Sequence, residues 1–117
     1  MRPSDLAHSE LYSIVLNSVA PRPIAWVSTA SASGQLNLAP FSFFNAVCID
    51  PPLLAFAPGL RQSRQAGTSL GEAKDTLRNI RETKEFVVNL VTYELAEAMN
   101  LTSGEYDASV NELSWQS

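Results

Sequence analysis

A single cysteine and a single histidine in 117 residues close off several kinds of chemistry at once. Cys48 has no second thiol with which to form an internal disulfide, and it supplies no thiolate set for zinc. His8, among weak signals at the N-terminus, argues against an imidazole-based metal site and against a Ser/His/Asp hydrolase. Basic residues are few and scattered: eight lysines and arginines against twelve aspartates and glutamates give a net charge of -4. There is no basic stripe of the kind nucleic-acid binding requires, so nucleic acid is not an expected partner. No apolar run reaches membrane-spanning length, and the N-terminus shows no basic-then-apolar leader pattern. The expectation is a cytoplasmic protein with no membrane partner. Neither the Gly-x-Gly-x-x-Gly fingerprint nor a Gly-x-x-x-x-Gly-Lys loop appears, which excludes nucleotide sites of those two types.

What remains is an ordinary globular composition, 45% hydrophobic and 17% charged, read as one domain over residues 1–117. Leu6 to Leu16 is a short helix or an irregular entry segment. Ile24 to Thr29 reads as a strand that follows Pro23 and is apolar on both faces, hence covered on both faces, as in a barrel wall. Ala30 to Asn37, with its serines and Gly34, is the turn of a hairpin. Phe41 to Ile49 reads as the next strand. Phe41, Phe43, Asn45, Val47 and Ile49 then face the core, while Ser42, Phe44, Ala46 and Cys48 form a shelf for something flat. A bulge would shift that parity. Pro51-Pro52 ends the strand and Leu53 to Ala57 begins another. Gly59 to Ala73 is a long polar loop. Asp75 or Thr76 caps a helix with Leu77 and Ile80 on one face. Glu85 to Val91 is a strand, and Thr92 caps a final helix through Met99 that Gly104 terminates.

Two constellations carry chemistry. Lys74-Asp75-Thr76 sits at a helix start, where free N–H groups, a lysine charge and a hydroxyl make a phosphate cradle, with Arg61 or Arg64 as possible contributors from the loop. The plainer alternative is a capped surface helix with a solvated lysine. Ser28, Thr29, Ser42 and Asn45 stand at strand ends, where they could bond a heterocycle; singly, each is better read as a turn former or a satisfied polar group. They converge only if the two strands are neighbours, which the short hairpin turn favours. Cys48 reads as a buried, inert thiol, and Trp26, Phe43 and Phe44 as core aromatics, one of which could stack on a ligand.

The order of motifs adds a resemblance. Pro-Arg-Pro-Ile-Ala-Trp-Val-Ser-Thr (21–29), Gly34, Asn-Leu-Ala-Pro-Phe-Ser-Phe-Phe-Asn (37–45), Asp-Pro-Pro (50–52), Lys-Asp-Thr (74–76), Asn79-Ile80 and Glu-Phe-Val-Val-Asn-Leu (85–90) follow one another. This ordered set resembles the flavin reductase-like family of FMN-binding split-barrel proteins over residues 12 to 102. The resemblance implies a mainly β fold with short helices: a split β-barrel, incomplete at its C-terminal end. It implies a homodimer, in which dimerisation or strand exchange covers the open sheet edge, and FMN as cofactor with NADH or NADPH as electron donor. Carried over by position, Ser28 and Thr29 would contact the flavin or its ribityl chain. Ser42, Phe44 and Asn45 would border the ring, and Lys74, Asp75 and Thr76 would meet the phosphate. No catalytic side chain and no metal ligand is implied. Ala46 and Cys48 stand where relatives often carry small hydroxyl residues. The implied activity is hydride transfer to flavin N5. The alternatives are a flavin-binding module without activity and a pyridoxamine-phosphate-oxidase-like enzyme, the latter disfavoured by the scattered charge.

Overall fold

The computed structural model describes residues 2–59 and 74–104. After a 3-10 turn at Pro3–Asp5 comes helix α1, His8–Ser18, which turns the ambiguous entry segment into a helix. Strand β1, Ala25–Ala30, carries the apolar run anticipated on both faces, and both are covered: Ala25 and Val27 are fully buried and Trp26 is 2% exposed. Burial of such side chains contributes roughly 2 kcal/mol each, which makes β1 the spine of the fold.

Strand β2, Leu36–Phe41, pairs antiparallel with β1 from Ala25↔Phe41 to Ala30↔Leu36. The turn between them holds Gly34 at φ 86°, a left-handed conformation that suits glycine. The hairpin partner of β1 is therefore Leu36–Phe41, not the Phe41–Ile49 segment expected from sequence. Pro40 sits within β2 because β2 is, among the described residues, an edge of its sheet, where a missing N–H costs no ladder bond. The chain bends at Ser42 and Phe43, and strand β3, Phe44–Ile49, pairs with strand β4, Pro52–Phe56, in a separate two-stranded sheet.

A register shift between Ala46 and Cys48 bulges β3, and the expected core face fails there. Val47 is 65% and Ile49 89% exposed. Cys48 is exposed as well, its Sγ donating to the Asp50 carbonyl at 3.3 Å, so the reading of a buried thiol is corrected. The inner end of the ribbon does join the core. Phe44 and Phe56 pack against Ala25, Val27 and Phe41, with the Phe41 and Phe56 rings 5.3 Å apart.

Helix α2, Asp75–Thr83, lies against β1 and β2, and strand β5, Val87–Asn89, pairs antiparallel with β1 on the side away from β2. The residue at the N-cap of α2 is Lys74, one position before the first candidate and two before the second, with Asp75 and Thr76 in the first turn. The face of α2 toward the sheet is polar. Asp75, Thr76 and Asn79 are buried, whereas Leu77 and Ile80 are only partly so. A 3-10 turn, Tyr93–Leu95, leads from Thr92 into the short helix α3, Ala96–Leu101. The loop from 60 to 73, with Arg61 and Arg64, and the tail from 105 lie outside the described residues. Among the described residues no helix is long and apolar enough to cross a membrane, and no group of His, Cys, Asp and Glu could hold a metal ion.

Candidate functional site

Side-chain parity in the hairpin sorts the candidate residues onto two faces. Ala25, Val27 and Thr29 share a face with their partners Phe41, Ala39 and Asn37, whereas Trp26, Ser28 and Ala30 share the other with Pro40, Leu38 and Leu36. Helix α2 covers the first face. Asn37 Nδ2 donates to Thr76 Oγ1 at 2.9 Å, and Asn79 Nδ2 donates to Thr29 Oγ1 at 3.1 Å. These two bonds fix the helix along the strand pair. They set Lys74 at the Phe41 end, with Nζ 5.6 Å from the Phe41 ring centroid.

Between the first turn of α2, the edge strand β2 and the end of α3 lies a small cavity of about 70 Å³. Asn37, Lys74, Asp75, Thr76, Ser103 and Gly104 are among its lining residues. Its size suits a small polar group and not a ring. The N-cap residue Lys74 makes no side-chain capping bond, so α2 offers its first N–H groups and partial positive charge here. Asp75 brings an opposing charge, which the Arg78 guanidinium at 2.6 Å offsets. Thr102 also borders the cavity, but its hydroxyl is spent in both senses: it accepts from Trp26 Nε1 at 2.9 Å and donates to the Met99 carbonyl at 2.7 Å.

Ser42, Phe44 and Asn45 are brought together on a second concavity of about 430 Å³, formed where β2 bends into β3. Phe43 and Phe56 wall it, and Arg22 closes one side. The Arg22 guanidinium stands 5.7 Å from the Phe43 ring centroid, and its Nη1 donates to the carbonyls of Leu16 and Val19 at 2.7 Å each. Asn45 Oδ1 accepts from the Ala46 N–H at 2.8 Å, a local bond that leaves its amide NH₂ for other partners. Phe41 connects this concavity to the cavity beside Lys74: it lines the latter, packs on Phe56, and directly precedes Ser42.

Ser28 and Thr29 do not join either place. Both line a third cleft of about 640 Å³ at the other end of β1, with Leu36, Phe86 and Val87. Thr29 is 5% exposed beneath α2. Ser28 Oγ accepts from Asn89 Nδ2 at 3.2 Å, on the sheet face opposite Lys74. The asparagines 37, 79 and 89 and Arg22 are the residues that sequence reasoning passed over. Asn37, Asn79 and Asn89 fall within the quoted motifs, yet nothing in local sequence marks which hydroxyl each would meet. Arg22 had one signal, a lone charge between two prolines in an apolar stretch.

The only described titratable group shifted clearly from its ordinary value is Glu94. Its carboxyl is held low by its own backbone N–H and by the Thr92 hydroxyl, at the start of the 3-10 turn and away from these cavities.

Comparison with known proteins places this geometry. The family model described as flavin reductase like domain matches residues 17–117. An uncharacterized protein of Aquifex aeolicus is 48% identical over 102 residues, which cover 87% of this chain and 48% of that protein. The crystal structure of nitrilotriacetate monooxygenase component B from Bacillus cereus superposes with a TM-score of 0.78 at 32% identity, covering 90% of this chain and 50% of that one. A split-barrel protein from Shewanella frigidimarina gives a TM-score of 0.69 at 22% identity over 94% of this chain and 50% of its own, a likeness of fold. The two open sheets are thus part of a split barrel, and the chain spans about half the length of the curated relative and of both structures.

Proposed function

The chain belongs to the flavin reductase-like domain family, and from that premise we propose that it is an FMN-binding flavoprotein acting as an NAD(P)H-dependent flavin reductase. The observation that carries the reading is the adjacency, through Phe41, of two unlike spaces. One is small, polar and set at a helix N-terminus beside a lysine; the other is larger, aromatic-walled and rimmed by Ser42 and Asn45. A ligand with a phosphate at one end and a flat ring at the other fits that pair.

In this reading Lys74 and Thr76 hold the phosphate, with the first N–H groups of α2. Arg78 keeps Asp75 from repelling it. Ser42 and Asn45 bond the polar edge of the ring, and Phe44 supports it from the core side while excluding water. FMN, when bound, supplies hydride acceptance at N5 from NADH or NADPH. The protein's share is to bind, orient and desolvate. Ser28 and Thr29 belong to the reading only through the ribityl chain or a different part of the ligand, since they border the third cleft.

Assembly as a homodimer, with FMN near the subunit interface, is part of the same proposal. The exposed apolar residues Val47, Ile49, Leu53 and Leu54 of the β3–β4 ribbon support it. A second reading, a flavin-binding module without reductase activity, is favoured by the open edges of both sheets among the described residues. The visible spectrum separates the two. Absorbance near about 450 nm that bleaches with NADH or NADPH supports the reductase; absorbance that persists with both supports the module. A protein that remains colourless with added FMN overturns both.

A further inference from the structure

The buried hydroxyl of Thr76 has its direction set by a neighbour. A threonine hydroxyl carries one proton and two acceptor lone pairs, whereas an amide NH₂ only donates. Asn37 Nδ2 lies 2.9 Å from Thr76 Oγ1, so the oxygen acts as acceptor toward Asn37 and keeps its single proton for another partner. Thr76 is 1% exposed, and among the described residues the space open to that proton is the small cavity that Asn37 and Thr76 line together with Lys74. Thr102, on the same cavity, shows the contrasting case. Its oxygen accepts from Trp26 and its proton goes to the Met99 carbonyl, so it has no proton left to donate.

We infer that Asn37 is a positioning residue for phosphate recognition: it fixes Thr76 as a hydrogen-bond donor into the cavity beside Lys74, so that the site selects ligands ending in an anionic oxygen. The inference rests on the proposed flavin site and adds to it the residue that gives the phosphate end its polarity. Asn37 itself projects from edge strand β2 opposite Thr29, and its place is fixed by the strand register, 39 residues from the hydroxyl it orients. Without the directed hydroxyl the same cavity would keep the lysine charge but lose one donor aimed at the anionic oxygen.

FMN and riboflavin differ only by the phosphate, and their binding to the purified protein is read by quenching of flavin fluorescence. Asn37→Asp preserves shape but accepts only, so it draws the Thr76 proton to itself and adds a negative charge. Asn37→Ser removes the amide donor without that charge. Thermal melting of both variants confirms folding. The expected result is a loss of FMN affinity of about tenfold or more in Asn37→Asp and a smaller loss in Asn37→Ser, with riboflavin affinity changed less than about twofold. Equal losses for the two ligands would show a merely structural Asn37 and overturn the inference, as would unchanged FMN affinity in both variants. If the unsubstituted protein binds FMN no more tightly than riboflavin, the phosphate placement fails while the flavin reading stands. If it binds neither, the flavin reading fails first.

Discussion

Asn79 donates from Nδ2 to Thr29 Oγ1 across 3.1 Å, with 2% of the first residue and 5% of the second exposed. This bond ties the middle of α2 to the central strand of the three-stranded sheet. Asn79 Oδ1 is buried without a partner among the described residues, so the amide already carries a desolvation cost. Asn79→Ala removes the donor and leaves a small void. A loss of about 1–3 kcal/mol in denaturant unfolding is expected, with Thr29→Ala and Asn79→Ala less than additive because they break the same bond.

Trp26 provides a second buried tie, from Nε1 to Thr102 Oγ1 at 2.9 Å, which joins β1 to the end of α3 across 76 residues. Thr102→Val keeps the shape and strands the indole N–H. That group has no other partner among the described residues and Trp26 is only 2% exposed, so about 1–3 kcal/mol of stability should go with it. Thr102→Ser, which keeps the hydroxyl, should cost clearly less. Equal losses in the two variants would assign the effect to packing.

How much of this was legible beforehand depends on the range of the forces involved. β1 was readable because Ala25, Trp26 and Val27 are consecutive and apolar, a local pattern with one structural outcome. The start of α2 was readable to within one or two residues, from the local Lys74-Asp75-Thr76 run. The partner of β1 was not, because Pro40 and the polar Asn37 disguise Leu36–Phe41 as a turn, and only membership of a sheet edge makes that proline harmless. The exposure of Val47, Cys48 and Ile49 was hidden by a bulge that no residue type announces. The candidate site was half legible. Lys74, Thr76, Ser42 and Asn45 were named from strand and helix ends, but the bond that holds Thr76 spans 39 residues, and those that hold Thr29 and Ser28 span 50 and 61, all of them dependent on register. Ser28 and Thr29 were grouped with the others because the hairpin was drawn one strand too late.

Lys74→Ala tests the phosphate end by charge. The ammonium lies beside the helix N-terminus and over Phe41, half-exposed, so its loss should cost no more than about 1 kcal/mol in stability. FMN affinity should drop about tenfold at low ionic strength, and the gap to the unsubstituted protein should narrow as salt is added, since the lost interaction is one between charges. Fluorescence titrations at two salt concentrations measure both. Unchanged affinity at low salt removes Lys74 from the site.

Glu94 gives a prediction in pH. Its folded-state pKa is depressed, first by its own backbone N–H and next by the Thr92 hydroxyl. The sign follows from linkage: a depressed carboxyl stabilises the fold above its unfolded pKa, and that contribution disappears as pH falls through the folded value. Thr92→Ala should therefore raise the Glu94 pKa toward the ordinary glutamate range in an NMR titration. The acid limb of the stability profile should shift up with it. A Glu94 pKa that does not move would place the Thr92 hydroxyl elsewhere.

The β3–β4 ribbon offers the test of assembly. Ile49 is 89% exposed and Val47 65% exposed, on a strand whose inner residue Phe44 is held in the core, so a charge at the outer end can be introduced without touching the packing. If a second copy covers this surface, Ile49→Lys buries an unpaired ammonium at the interface, a change that costs several kcal/mol in a desolvated setting. Light scattering should then show a dimer for the unsubstituted protein and a shift toward monomer for Ile49→Lys, with far-UV circular dichroism unchanged. Thr83→Lys, near the end of α2, serves as a charge control and should leave the dimer intact. A dimer that survives Ile49→Lys places the interface elsewhere, and a stable monomer with a cooperative melt for the unsubstituted protein removes the dimer from the proposal.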